Sequence, residues 1–482
     1  MTPRADALPL RVKLFNGLGS IAYGVKDNGF STFLLIFYSQ VIGLDAKLVS
    51  LALMLALIVD AFVDPLIGHL SDRTYTRWGR RHPWLYAAPV PLGLAWMLLW
   101  SPPADHTHIF TYLVVVAILV RTLVSCCEVP SQSLVAELTS DYDERTSLVR
   151  LRYLFGWSGG LLLFFLANTV FLRADETHAV GQLNPEGYWR FGLCGAVLMV
   201  GAVLISALGQ HGRVATIPEF KPAAQSARGA LDEILEALRH PAAVILLSAA
   251  MIAIASTQMA FAIANYLYLY VWQLDETGFA VLPGLLLCTV VSAFVIVRPL
   301  HQRYGKRDTA IACNLISVII WVIPFVLRYV GFWPEPGSTP STALIFGFLL
   351  VTNTAGIMVF ISAQSMLADV VEASFEQTGR RTEGTFAAGW MFVQKCGTAI
   401  GIGLTGLIVS LAGLPAKAVP GQVQPQVIDN LTIYYVSLVL LAGAGSTLIL
   451  RRFPITRADH EARLAALDAA AMIDRDAEGS HP

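Results

Sequence analysis

The chain has 482 residues, of which 55% are hydrophobic and only 14% are charged, and its mean hydropathy is +0.60. A soluble protein of this size could hardly bury so much apolar surface, so the composition favours a protein whose surface faces lipid. The sequence has no phosphate-binding glycine loop, no histidine cluster with metal-ligand spacing and no nucleophile motif. We therefore expect neither an enzyme, nor a cofactor, nor a nucleic-acid partner.

Long apolar runs predict twelve transmembrane helices, because each run can cross about 30 Å of hydrocarbon. They cover residues 14–42, 47–71, 83–101, 108–138, 152–173, 188–210, 241–273, 277–299, 309–332, 341–370, 384–413 and 429–450. The first six form a predicted N-terminal bundle over residues 1–210, and the second six a C-terminal bundle over residues 241–453. Residues 211–240 are predicted to be a cytoplasmic linker with a short amphipathic helix, and residues 454–482 a cytoplasmic tail. The predicted fold class is an all-α membrane protein.

Lysine and arginine are concentrated in alternate connecting loops and near both ends of the chain, which predicts that both termini are cytoplasmic. The loop after the second span contains Asp72-Arg73 and Gly79-Arg80-Arg81, and Gly305-Lys306-Arg307 repeats part of it after the eighth. Ala136-Glu137 and Ala368-Asp369 recur at a similar offset. This repeat resembles the major facilitator superfamily, whose two six-helix bundles carry basic loops at these places. The resemblance implies that fold, in a multi-pass protein of the inner (cytoplasmic) membrane if the source is bacterial.

Ionisable residues inside the predicted spans carry the functional argument, because each would be costly if it faced lipid. They are Lys26, Asp27, Asp60, Asp64, Arg121, Glu128 and Lys395. Asp60 and Asp64 are four residues apart, so both carboxylates lie on one face of the second helix and require a cation. Na⁺ or Li⁺, a shared proton and pairing with Lys395 are the alternatives. Four acids against three bases leave one carboxylate for a bound cation, whereas static ion pairs that fix helix packing are the competing interpretation.

The segment from Asp60 to Trp84 is similar to the signature of the glycoside-pentoside-hexuronide:cation symporters. Further matching positions are Lys26-Asp27, Glu128-Val129-Pro130, the stretch from Asp141 to Thr146, the stretch from Ala368 to Gly384, and Lys395. The resemblance implies a cation site formed by Asp60, Asp64, Ser125 and Lys395, with Na⁺ possible at the two aspartates. Val63 stands where a family member has an amide residue beside the cation, which removes one oxygen ligand and weakens the case for Na⁺ relative to H⁺.

The remaining site predictions combine this resemblance with the positions of polar side chains. The predicted substrate-binding residues are Lys26, Asp27, Arg121, Glu128, Gln132, Arg152, Trp390 and Gln394, and the predicted conformational gate loops contain Asp72, Arg73, Gly79, Arg80, Arg81, Asp141 and Arg145. The predicted function is that of a monomeric symporter, coupled to H⁺ or Na⁺, that imports a small solute such as a sugar, glycoside or hexuronide by alternating access. The alternatives are a proton-driven exporter and a carrier of lipid-like or other organic solutes.

Overall fold

The computed structural model describes residues 8–105, 107–139, 141–175, 178, 180–214, 241–378 and 383–454. The predicted amphipathic helix of the linker and the tail from residue 455 onward lie outside these residues, so both stay predictions. The described chain consists of helices and their connecting loops, which confirms the all-α fold class.

The helices are numbered in chain order. The N-terminal half contains α1 (Leu10–Leu18), α2 (Ile21–Asn28), α3 (Leu34–Ile36), α4 (Ala46–Asp72), α5 (His82–Ala87), α6 (Pro89–Trp100), α7 (Ile109–Leu138), α8 (Tyr142–Leu166) and α9 (Pro185–Val214). The C-terminal half contains α10 (Pro241–Tyr266), α11 (Glu276–Tyr304), α12 (Lys306–Tyr329), α13 (Thr339–Thr378), α14 (Glu383–Leu411) and α15 (Pro425–Leu450). Short π-helical segments are Gly29–Phe33, Phe37–Ile42, Ala167–Phe171 and Leu267–Val271, and a 3₁₀ turn covers Gly181–Leu183.

Ten helices in the described part of the chain are long and apolar enough to cross a membrane, which confirms a multi-pass protein. The two other predicted spans, at 14–42 and 83–101, are divided into shorter helices. The second of these divides between Ala87 and Pro89, because proline lacks an N–H group and favours the first position of a new helix. The first is interrupted after Leu18 and again by π-helical segments. The count of twelve spans therefore stays a prediction.

Glycines permit the close helix contact that holds α2 in the N-terminal half. A Cβ atom added to Gly24 would lie 1.8 Å from the backbone oxygen of Gly156 in α8. A Cβ atom added to Gly160, one turn further along α8, would lie 2.9 Å from the backbone oxygen of Gly24. Since only glycine lacks a Cβ, these residues allow the two backbones to touch. The contact fixes the position of Lys26 and Asp27, which follow Gly24 on α2.

At one end of the molecule, the two halves are joined by a cluster that we call the latch, consisting of Ser39, Gln40, Tyr266, Tyr270 and Ala418. The hydroxyl of Tyr266 lies 2.5 Å from Ser39 Oγ. Gln40 Oε1 accepts hydrogen bonds from the hydroxyl of Tyr270 at 3.1 Å and from the backbone N–H of Ala418 at 3.0 Å. All five residues are buried, so these contacts close this end to water.

The basic loops lie at the opposite end, where the ion pairs between described residues connect residues of the same half. Arg81 pairs with Glu137 in the N-terminal half, and Lys306 pairs with Asp369 in the C-terminal half. Between the two ends, the side chain of Asp27 is 69% exposed. A closed latch together with an exposed central carboxylate indicates a cavity that opens toward the basic loops.

We expect Gly24→Val to prevent correct assembly of the N-terminal half, because its side chain would overlap the backbone of α8. The expected loss exceeds about 3 kcal/mol, the upper range for overpacking of a core. Size-exclusion chromatography and the thermal midpoint of the detergent-purified protein measure the effect. Gly201→Val is the matched control, since a Cβ atom at Gly201 meets nothing within 4 Å. Equal yields and midpoints for both variants would contradict this account of the helix contact.

Candidate substrate and ion site

Asp60 and Asp64 share one face of α4, as their spacing predicts, and that face contacts α7. Ser125 Oγ lies 2.9 Å from Asp60 Oδ1 and 2.6 Å from Asp64 Oδ1. A hydroxyl carries one proton and an ionised carboxylate carries none, so Ser125 donates to only one carboxylate at a time. The arrangement therefore has room for one further proton between Ser125 and the acid pair.

Lys395 reaches the acid pair from the other half of the molecule. Its Nζ lies 3.0 Å from Asp60 Oδ2, 2.5 Å from Asp64 Oδ2 and 3.1 Å from the backbone oxygen of Asp60. The side chain of Asp60 is 9% exposed, whereas that of Asp64 is 31% exposed. The structure thus brings together all four residues predicted for the cation site. Because Lys395 is on α14, the charge of the two carboxylates acts directly on the contact between the halves.

Arg121, which the sequence assigns to the substrate, lies beside Asp60. Its Nε is 3.5 Å from Asp60 Oδ2, a charge contact without a hydrogen bond. The guanidinium carbon lies 5.1 Å from the centre of the Phe30 ring, which is within cation–π distance. The side chain of Arg121 is 9% exposed, so water and salt screen its charge little. Asp60 therefore has a second basic neighbour, and this one belongs to its own half.

A second polar cluster lies on α7, one to two turns from Ser125. Lys26 Nζ lies 2.8 Å from Asp27 Oδ1 and 3.5 Å from Glu128 Oε2. Gln132 Nε2 donates a hydrogen bond to Glu128 Oε1 at 3.2 Å. Ser125, Glu128 and Gln132 share one face of the helix at intervals of three and four residues. Exposed carboxylate and amide groups on one cavity wall can bind the hydroxyl groups of a polar solute.

Arg152 completes the charge balance of the site. Its Nη1 donates to Ser131 Oγ at 2.8 Å, its guanidinium carbon lies 5.9 Å from the centre of the Tyr23 ring, and it interacts electrostatically with Glu128. The sequence-based count of four acids against three bases omitted Arg152. The structure has four carboxylates and four bases in the two clusters: Asp27, Asp60, Asp64 and Glu128 with Lys26, Arg121, Arg152 and Lys395. Each carboxylate therefore has a base in this structure, and one carboxylate loses its base when Lys395 moves away.

The two remaining predicted substrate residues are on α14, the helix of Lys395. Trp390 is buried, with its ring centre 6.2 Å from that of Phe360, and its indole N–H has no hydrogen-bond partner in the described part of the chain. Gln394 is half-buried. The structure therefore packs Trp390 in the core of the C-terminal half, and the binding of substrate by either residue stays a prediction.

The predicted gate residues next to α4 form a network of ion pairs. Glu137 Oε1 accepts hydrogen bonds from Arg81 Nε at 3.0 Å and from Arg80 Nη2 at 3.1 Å. Arg81 also pairs with Asp72 and with the hydroxyl of Ser71. These contacts tie the loop after α4 to the end of α7.

The C-terminal half repeats this arrangement, as the sequence repeat predicts. Gly79 and Gly305 have positive φ values of 85° and 80°, and each is followed by a basic residue that contacts an acidic residue of a later helix. Lys306 Nζ lies 2.5 Å from Asp369 Oδ1. Only glycine adopts such φ values without strain, so the glycine in each loop is required for the turn.

The other predicted gate residues surround the beginning of α8. Asp141 caps this helix, because its Oδ1 accepts a hydrogen bond from the backbone N–H of Glu144 at 3.0 Å. Arg145 Nε donates to the backbone oxygen of Thr139 at 2.8 Å. Arg73 is exposed at the C-terminal end of α4. The structure places all three at the end of the basic loops, and a role in gating stays a prediction.

Sequence reasoning missed two aromatic residues of the site. Tyr23 and Phe30 contact Arg152 and Arg121. They lie three residues before and four residues after Lys26, so they share its helical face, and this spacing could have indicated them. The polar pair Ser39-Gln40 in the latch was likewise visible as an interruption of an apolar run.

Comparison with known proteins identifies the family. A family model described as MFS/sugar transport protein matches residues 15–457. The chain belongs to this sugar transport family. An uncharacterized symporter of Synechocystis sp. is 25% identical, and the alignment covers 95% of this chain and 96% of that protein. The isoprimeverose transporter of Lactiplantibacillus pentosus is 27% identical, with 86% of this chain and 82% of that protein covered.

These relatives confirm the resemblance to the glycoside-pentoside-hexuronide:cation symporters. Among solved structures, the inward open xylose transporter of E. coli matches with a TM-score of 0.60 and 16% identity, covering 93% of this chain and 96% of that one. At this identity the likeness shows the major facilitator fold alone. Since the family consists of membrane transporters, this sugar transport family member is an integral membrane transporter and not an enzyme.

We expect Lys395→Met to destabilise the transporter by about 3 kcal/mol, the lower end of the range for a broken buried ion pair, because it leaves the buried Asp60 and the half-buried Asp64 with one base. The fall in the thermal midpoint of the detergent-purified protein measures this effect. Adding Asp64→Asn should restore most of the loss, since Asp60 then pairs with Arg121 alone. If the single variant is as stable as the unmodified protein, Lys395 does not neutralise the pair.

Proposed function

We propose that the chain is a cation-coupled symporter that imports a sugar, glycoside or hexuronide by alternating access and that it works as a monomer. The observation that carries the proposal is the contact of Lys395 in one half with Asp60 and Asp64 in the other. Transporters of this fold alternate by rocking two bundles around a central site. A bridge that a cation can replace therefore links ion binding to that motion.

The charge balance supports this mechanism. Moving Lys395 away without a replacement would leave an uncompensated negative charge in a poorly solvated site, which is unfavourable. A cation bound at Asp60 and Asp64 removes this penalty and allows the halves to separate. After the halves have moved to the opposite conformation, the cation leaves and Lys395 contacts Asp60 and Asp64 again. Ion binding therefore shifts the equilibrium between the two conformations, and the size of this shift is the coupling free energy.

The solute site is proposed at Asp27, Glu128 and Gln132, with Lys26 and Arg152 holding the acidic groups in place. Carboxylates and amides at a cavity wall suit a solute with many hydroxyl groups. Because Glu128 and Ser125 are on the same face of α7, solute and ion binding both act on the position of this helix. The name of the relative that transports isoprimeverose favours a sugar over a lipid-like solute.

The predicted orientation gives the side of the membrane to which the cavity opens. With both termini cytoplasmic, the closed latch faces outward and the cavity opens to the cytoplasm. We propose that the loops with Arg80, Arg81, Asp141 and Arg145 close this side in the other conformation. An exporter would use the same carboxylates in reverse, so direction requires its own measurement.

The experiment is solute uptake into proteoliposomes that contain the purified protein in a known orientation. Isoprimeverose, a phenyl glucuronide and lactose are tested as radiolabelled solutes, each under an inward gradient of H⁺ or of Na⁺. The proposal expects accumulation of at least one solute above its external concentration, driven by one ion. Accumulation only from the side of the basic loops would support the exporter instead, and no ion-driven accumulation of any solute would refute symport.

Asp64→Asn should abolish accumulation of the transported solute while solute exchange continues, because Arg121 then compensates Asp60 and no carboxylate needs a cation when Lys395 moves away. The ratio of internal to external solute should fall to about one, since no coupling free energy remains. Asp105→Asn, in an exposed loop after α6, is the matched control and should accumulate normally. Undiminished accumulation by the Asp64 variant would exclude this carboxylate from coupling.

A further inference from the structure

We propose that Arg121 is a resident cation that keeps Na⁺ out of the acid pair and makes the proton the coupling ion. This inference rests on the proposed symport function, which by itself leaves H⁺ and Na⁺ open. It assigns Arg121 the role of a residue that determines ion specificity.

The position of Arg121 makes its contact with Asp60 permanent. Its Nε lies 3.5 Å from Asp60 Oδ2, and the ring of Phe30 covers its guanidinium group at 5.1 Å. Arg121, Asp60 and Phe30 all belong to the N-terminal half, so rocking of the bundles does not separate them. Lys395 belongs to the C-terminal half and is the base that can leave.

The groups around the pair give a stoichiometry of one cation. Among the described residues, those that face Asp60 and Asp64 are Arg121 and Ser125 from α7, Lys395 from α14 and, at longer range, Lys26 from α2 and Glu128 from α7. Lys26 is held by Asp27 and Glu128. When Lys395 leaves, Arg121 still compensates Asp60, and only the charge of Asp64 is left over. One monovalent cation restores neutrality.

The oxygen atoms near Asp64 suit a proton better than a metal ion. A hard cation such as Na⁺ takes several oxygen ligands at once. Asp60 Oδ2, one of the oxygens now contacted by Lys395, also faces the guanidinium of Arg121. A metal ion in the place of the Lys395 ammonium would therefore share this oxygen with a fixed positive charge, and Val63 on the same turn offers no side-chain oxygen.

A proton needs only one oxygen, and the contact with Ser125 provides for it. Ser125 Oγ lies within hydrogen-bond distance of both carboxylates, but its single proton serves only one of them. If Ser125 donates to Asp60, a proton bound to Asp64 Oδ1 donates to Ser125 Oγ and completes the second contact. The partly exposed side chain of Asp64 gives this proton access from the cavity, while Asp60 is buried.

The test measures Na⁺ binding directly, without a transported solute. The thermal midpoint of the purified full chain is recorded in 100 mM NaCl and in 100 mM choline chloride, because a ligand that binds only the folded state raises the midpoint. We expect no Na⁺-specific shift for the unmodified protein or for R121K, which keeps the positive charge. We expect a Na⁺-specific rise on the order of 2 °C or more for R121Q, where the site beside Asp60 is free of charge. The rise should be lost in D64N/R121Q.

R121Q leaves a buried carboxylate without its base and can fail to fold. The charge-balanced variant D60N/R121Q then replaces it, and the same Na⁺-specific rise is expected. A rise of equal size in the unmodified protein and in the R121Q variants would overturn the proposal, and so would the lack of any rise in a folded R121Q or D60N/R121Q variant. Uptake separates this failure from that of the proposed function: accumulation driven by Na⁺ overturns the role of Arg121 alone, whereas no ion-driven accumulation overturns symport itself.

Discussion

The structure depends on one interaction, the contact of the Lys395 ammonium with the carboxylates of Asp60 and Asp64. Charges of this kind are stable inside a membrane protein only when each has a partner. The pairing requires α4 and α14 to touch at the centre of the molecule, although they belong to different halves. The central contact therefore has to be broken or replaced whenever the halves move, and this makes it suitable for coupling.

Among the described residues, the other ion pairs of the central site lie within the N-terminal half. Arg121 and Asp60 are in one half, as are Lys26, Asp27 and Glu128. In the described part of the basic loops, the pairs Arg81–Glu137 and Lys306–Asp369 also lie within one half each. At the far end, the latch joins the halves through hydrogen bonds between neutral groups, which cost less to break than buried ion pairs. Such a division is consistent with two conformations of similar free energy.

The fold and part of the site could be predicted from the sequence. Apolar runs of membrane-spanning length predict helices, because a helix forms all of its backbone hydrogen bonds within one segment and lipid offers no other partners. The spacing of Asp60 and Asp64 predicts their shared face, and the structure adds Ser125 and Lys395 as partners. The charge count from the sequence was incomplete, because Arg152 lies at the beginning of a predicted span and its burial beside Tyr23 depends on how α8 packs on α2.

The sequence by itself determined that the chain is helical, crosses a membrane several times and holds an acid pair that needs a positive charge. These features follow from local properties, namely hydrophobic length, helical periodicity and the cost of a charge in lipid. Only the tertiary structure decided which base faces which acid, since partners such as Arg121 and Asp60 are 61 positions apart in the chain. Helix packing sets such distances, and helix packing depends on residues such as Gly24 throughout the bundle.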